Sequence, residues 1–273
     1  MSYMEIDDRP NLNDPILIAG WPGMGLVAFK SVAYLIEQTE AKLLAHFEIP
    51  DLYQVRGINV KNGSVEQIDI PKGSAYYYTP PKDGRSLILF LGDEQPVAGK
   101  ELIVSRELLK LAKEFGSKEV YTFAAMVTGI SHHAVPKVWG CATQKTLLAK
   151  MKNHDVLPMT EGTISGLNGL LVGVASTFGL RASCLLGELP YYATQIAYHP
   201  ASCAVLEKFS LLVDIPLELD QLRQQSKTTQ IEIDTYIEHV KREAMRKKED
   251  APPLEEPPEP MGSPDDEGED IMN

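Results

Sequence analysis

The sequence predicts an α/β protein: a three-layer sandwich with a mixed, largely parallel central sheet. Three observations carry this. Strand-like and helix-like segments alternate along most of the 273 residues, the pattern that builds a sheet covered by helices on both faces. The run S-L-I-L-F-L-G at 86–92 is apolar at each position between its serine and its glycine, as in a strand buried on both faces. A glycine-rich turn, G-W-P-G-M-G-L-V-A at 20–28, joins an apolar run to a helix-like stretch.

Strands are expected at about 15–21, 42–48, 64–70, 75–79, 86–91, 119–125, 156–159 and 181–186. The first helix is expected over 25–38. The next covers 99–115, where Leu102, Ile103, Leu108, Leu109 and Leu111 recur at helical spacing and Gly116 stops it. Further helices are expected near 143–153, 166–178 and 200–212. In the fourth, Ser165 reads as the N-cap. Gly166, Gly169 and Gly173 fall on one side, a spacing that suits close packing. The segment 42–80, rich in strand and glycine, reads as a hairpin extension of the sheet.

Residues 1–217 are therefore assigned to the sandwich and 218–249 to a C-terminal helical segment. There Ile233, Tyr236, Ile237, Val240 and Ala244 make one apolar face, to be covered by the same domain or by a neighbouring subunit. Residues 250–273 form an acidic, proline-rich tail with too little apolar surface to offset ordering entropy, and disorder is expected there.

Charge narrows the function classes. The net charge is −12, yet residues 1–248 hold 28 acids against 26 bases, so the acidity belongs to the tail. Neither part offers the basic footprint of a nucleic-acid binder. No run of eighteen apolar residues exists, so no membrane partner is expected. The N-terminus lacks signal-peptide character, and Cys141, Cys184 and Cys203 are odd in number and far apart. Free thiols in a reducing cytoplasm are the expected state.

The candidate chemistry lies where strands end. G-M-G-L-V-A at 23–28 fits the dinucleotide fingerprint G-x-G-x-x-A, with Glu48 placed to hold a ribose. Against that, Pro22 removes an amide from the would-be phosphate cradle. The alternative is a packing turn in which Gly23 and Gly25 let helix and sheet approach and Trp21 acts as a wedge. Asp93, Glu94, His132, His133 and Glu188 also follow strands, at the edge where α/β sheets keep their ligand crevice. They offer acid–base chemistry or simply cap strands. Adjacent His132 and His133 point apart on any helix or strand and make a poor metal pair. No metal site is expected, and no serine sits in a G-x-S-x-G elbow.

Several motifs combine. G-W-P-G-M-G-L-V-A, G-D-E-Q-P at 92–96, I-S-G-L-N-G-L-L-V-G-V-A at 164–175, C-L-L-G-E-L-P-Y-Y at 184–192 and H-P-A-S-C-A-V-L-E at 199–207 together resemble the proteasome assembly chaperone two family, in its archaeal and bacterial form. The similarity runs from about residue 12 to about 245. It implies a phosphorylase/hydrolase-like sandwich used without known catalysis and without a cofactor. It also implies association with itself or a paralogue and a role in assembling proteasome α subunits. Some relatives end in a hydrophobic–tyrosine–any-residue tail that docks between α subunits. Here Ile271, Met272 and Asn273 hold those positions, with methionine in place of tyrosine. The glycine turn then reads better as packing than as a phosphate cradle. The alternative function is a small-molecule enzyme or nucleotide- or nucleoside-binding protein. Its site would lie at the carboxyl edge of the sheet and use Gly23, Gly25, Asp93, His132 and Glu188.

Overall fold

A computed structural model describes residues 3–47, 49, 51–54, 57–66, 70–82 and 84–249. Glu48, the tail 250–273 and its residues Ile271, Met272 and Asn273 lie outside the described residues. The chain divides into two compact units, Met1–Ile233 and Asp234–Asn273.

The first unit is an α/β sandwich. In chain order its strands are β1 (Met4–Ile6), β2 (Ile16–Gly20), β3 (Lys42–Phe47), β4 (Val60–Lys61), β5 (Ser64–Val65), β6 (Gly73–Tyr78), β7 (Leu87–Gly92), β8 (Glu119–Thr128), β9 (Val138–Ala142), β10 (Leu157–Pro158) and β11 (Arg181–Pro190). The helices are α1 (Val27–Gln38), α2 (Glu101–Glu114), α3 (Lys145–Asn153), α4 (Leu167–Thr177), α5 (His199–Val213) and α6 (Asp220–Glu249). A nine-stranded sheet runs β1-β3-β6-β7-β2-β8-β11-β9-β10. Its four central strands β7, β2, β8 and β11 are parallel. Antiparallel strands flank them on both sides.

Alternation along the central strands assigns the two faces. Leu17 and Ala19 of β2 share one buried cluster with Val104 and Leu108 of α2 and with Leu171 and Ala175 of α4. On the other face, Phe209 of α5 packs edge-on against Tyr121 and Phe123 of β8, at centroid distances of 5.1 and 5.7 Å. There α1 lies against α5. Strands buried on both sides have no polar face to show, which is why β2 and β7 are apolar throughout.

The structure departs from the sequence expectations in particular places. Strand β9, V-W-G-C-A, and the short β1 are both absent from the sequence reading. In β9 a glycine stands mid-strand because Met151 and Val156 press on it: a Cβ at Gly140 would lie 2.8 Å from Met151 Sδ. The strand expected over 64–70 begins as β5, which among the described residues pairs with β4 alone, in a separate hairpin. Residues 67–69 lie outside the described residues. The rest of 42–80 does extend the sheet, through β3 and β6.

Helix α6 begins inside the first unit. Leu222, Thr229 and Ile233 are buried there, and the Tyr34 hydroxyl donates to the Glu218 carbonyl just before the helix at 2.7 Å. Within the second unit α6 presents Tyr236, Val240 and Met245 to solvent.

Candidate functional site

The carboxyl ends of β2 and β8 meet the turn that follows β2. The chain passes from β7 to β8 across β2, so this is the point where strand order reverses and where open α/β sheets hold ligands. A crevice of about 240 Å³ opens here. Gly23 and Met24 form one wall, Ala124–Val127 of β8 its floor, and Met159, Ile164, Ser165 and Asn168 the far side.

The turn spends most of its backbone on the protein itself. The Trp21 amide donates to Asn168 Oδ1 at 3.0 Å, and Asn168 Nδ2 donates to the Trp21 carbonyl at 3.2 Å. Gln95 Nε2 donates to the Pro22 carbonyl at 2.8 Å, while Gln95 Oε1 accepts from the Leu167 amide at 3.1 Å. The Gly25 amide donates to the Thr194 carbonyl at 2.8 Å, and the Leu26 amide to the Gly23 carbonyl at 2.9 Å. Finally the Tyr198 amide donates to the Gly25 carbonyl at 2.9 Å. A phosphate cradle needs such amides aimed outward. Here those of Trp21, Gly25 and Leu26 are already taken, and Pro22 has none.

The glycines divide their work differently from the sequence expectation. Close approach of helix and sheet belongs to Gly20: a Cβ there would lie 2.7 Å from the Ala28 carbonyl oxygen. Gly25 is needed for its backbone, at φ +62°, and Leu26 shares that left-handed region at φ +49°. Gly23 is extended and would carry a Cβ in ordinary contact with Asn168. Trp21 is fully buried, tilted against Phe90 at 5.1 Å, and sits where a side chain at Gly92 would run into its indole.

On α4 the N-cap position is Gly166, at φ +73°, not Ser165, and the Gln95 side chain supplies the acceptor. A Cβ at Gly169 would collide with Ile164, whereas Gly173 faces open space. So the three glycines do not form one packed stripe.

The remaining candidates take separate partners. Asp93 is exposed and accepts from the Lys72 amide at 2.8 Å, tying β7 to β6. Glu188 is buried: Oε1 accepts from the Thr128 hydroxyl at 2.9 Å and Oε2 from the Lys137 amide at 3.1 Å. His132 is buried with Nδ1 2.7 Å from the Tyr192 hydroxyl, which also accepts from the His132 amide at 3.0 Å. The His132 and His133 rings lie side by side at 4.1 Å. They occupy a turn, so the divergence expected for a helix or strand does not apply. Of Gly23, Gly25, Asp93, His132 and Glu188, Gly23 alone lines the crevice.

Several residues outside the sequence reading matter more. Asn168 and Gln95 hold the turn to α4. Tyr192 holds His132. Tyr198 is wholly buried beside Glu188 and Tyr192; burial pushes its phenol up to about 12, and those two neighbours add to the shift. Asn168 carried a readable signal: an amide amid I-S-G-L-N-G-L-L, on the buried side of an apolar helix, needs a partner.

Residues 17–237 match the model of the PAC2 family. The chain belongs to the PAC2 family. An uncharacterized protein of Methanocaldococcus jannaschii is 28% identical over 260 residues, covering 92% of this chain and 94% of that one. Among solved structures, this PAC2 chain is similar to Pyrococcus furiosus PbaB, an archaeal proteasome activator. The TM-score is 0.73 at 27% identity, over 86% of this chain and 98% of that chain. It shares its fold with Pyrococcus furiosus PbaA, an archaeal homolog of proteasome-assembly chaperone. There the TM-score is 0.68 at 19% identity, over 91% and 97%. Among the described residues of this PAC2 chain, no helix is long and apolar enough to cross a membrane.

Proposed function

We propose that this PAC2 chain is a non-catalytic chaperone or scaffold that binds α-type proteasome subunits or related ring proteins. The observation that carries the reading is family membership over 17–237, joined to the likeness with PbaB across nearly all of that protein. The engaged backbone of the glycine turn supports it, because the fingerprint residues are occupied in holding β2, α4 and the 191–198 segment together. Self-association and a cytoplasmic setting belong to the same reading. Exposed Tyr236, Val240 and Met245 on α6 supply apolar surface of the kind a second subunit covers.

The test is affinity purification from the native host with the tagged full chain, followed by mass spectrometry of what co-elutes. Recovery of α-type proteasome subunits in stoichiometric amount is expected. Light scattering of the purified chain is expected to exceed the mass of one 30.2 kDa protomer. Monomer mass together with no ring protein in the eluate removes the reading.

One observation favours a second reading, a small-molecule site. The crevice beside Gly23 stands at the strand-order switch and is lined in part by Ser165 and Asn168. A metabolite retained through purification of the native protein, and lost on Ala125→Trp, would shift the assignment there.

A further inference from the structure

Cys141 and Cys184 occupy directly opposed positions on the antiparallel strands β9 and β11. Two backbone bonds fix the kind of pair. The Thr143 amide donates to Ala182 at 2.9 Å and the Glu188 amide to Lys137 at 2.9 Å. Those are hydrogen-bonded pairs two and four residues along the ladder, so Cys141 and Cys184 form a hydrogen-bonded pair as well. Cα atoms in such a pair are about 5.5 Å apart, inside the span a disulfide bridges. Directly opposed residues project to the same face of the sheet, and here that is the α2/α4 face: Cys184 belongs to its core cluster and Cys141 packs against it.

We propose that Cys141 and Cys184 are a redox pair that a hydroperoxide converts into a reversible cross-strand disulfide, Cys141 reacting first and Cys184 resolving it.

The two thiols are suited to different steps. Cys141 is half-buried near the sheet margin, within reach of a small oxidant, whereas Cys184 is fully enclosed. A charge on Cys141 opposes ionisation of Cys184. The third thiol, Cys203, lies on α5 with Sγ 3.8 Å from Glu207 Oε1, and takes no part.

The Cys141 thiolate attacks one peroxide oxygen. An S–O bond forms, the O–O bond breaks, and the other oxygen leaves with a proton as water or an alcohol. Cys141 is now a sulfenic acid. The Cys184 thiol gives up its proton and its sulfur attacks Cys141 Sγ. The S–S bond forms, the S–O bond breaks, and hydroxide departs as water with that proton. Two thiols have lost two electrons to the peroxide. A small-molecule thiol reverses the step by exchange. In a hydrogen-bonded pair the Cβ atoms stand further apart than an unstrained disulfide prefers, so the bond should be readily reduced.

Burial raises both thiols, Cys184 to about 12. The thiolate is the reacting form, so the oxidation rate should climb roughly tenfold per pH unit between pH 7 and 8.5.

The experiment treats the full chain with millimolar hydrogen peroxide at pH 8, alkylates it in denaturant and maps the peptides. The expected product is a linked pair of peptides containing Cys141 and Cys184, restored to free thiols by dithiothreitol, with only Cys203 alkylated before reduction. Cys203→Ser should leave this unchanged. Cys141→Ser, at a half-exposed position that tolerates the change, should abolish it and leave Cys184 as the free thiol. Cys141 recovered as sulfinic or sulfonic acid with Cys184 alkylated would overturn the proposal. So would a Cys141–Cys141 link between two chains, or three unreacted thiols.

Discussion

Asn168 and Trp21 are joined by two hydrogen bonds: the Trp21 amide reaches Asn168 Oδ1 and Asn168 Nδ2 reaches the Trp21 carbonyl, at 3.0 and 3.2 Å. One side chain on α4 thus satisfies both backbone groups of the buried residue that opens the glycine turn. Asn168→Ala leaves both groups buried without partners. Each such group costs about 1–3 kcal/mol, and the loss expected in urea unfolding is about 2–6 kcal/mol. A change below ~0.5 kcal/mol would mean that the turn is not held this way.

Two glycine replacements should move stability in opposite directions. Gly92→Ala drives a methyl group into the Trp21 indole and should cost about 1–3 kcal/mol. Gly173→Ala adds a methyl group to an open position inside α4 and should gain about 0.5–1 kcal/mol from helix propensity. Paired denaturant titrations check both. The same sign for the two variants contradicts the assigned packing.

Alkali should unfold the protein in a defined window. The Tyr198 phenol is raised from 10.0 to about 12 by burial, and Cys184 and Cys203 from 9.0 to about 12, mainly by burial. The folded chain therefore holds these protons after the unfolded chain has released them. Stability from these groups is complete below about pH 9, declines as pH rises, and is gone near pH 12. Urea midpoints at pH 8, 10 and 11 should fall in that order, and Tyr198→Phe should soften the decline between pH 10 and 11. A midpoint constant from pH 8 to 11 would contradict the burial of these groups.

Nucleotides should not bind at the turn. Calorimetry with ATP, NAD and NADP at millimolar concentration is expected to give no saturable heat, because the Gly25 amide is committed to Thr194. A saturable signal that Gly25→Val removes would reverse the assignment of the turn.

The sandwich was legible because buried parallel strands must be apolar throughout, as at 87–91, and because α2 carries its leucines at helical spacing. Strand β9 was not. Its glycine and cysteine carry little strand preference, and its pairing with β11 depends on residues some forty positions away. The turn was visible as glycine-rich, yet its partners were not. Asn168 lies 147 residues from Trp21, and Gln95 lies 73 from Pro22. Spacing along the chain does not record such meetings. Assigning close approach to Gly23 rather than Gly20 failed for a related reason: the fingerprint fixes where glycines stand, while the position of α1 decides which of them is crowded.

The proposed work of this PAC2 chain is to bind a proteasome ring component. The most direct measurement mixes the purified full chain with purified α-type proteasome subunits of the same host, at micromolar concentration, and follows mass by light scattering on a sizing column. A co-eluting complex of defined mass is expected, formed without nucleotide and retained when the crevice is filled by Ala125→Trp. Separate elution of the two proteins at every concentration up to about 50 µM, a range that detects even the weaker specific protein complexes, would contradict it.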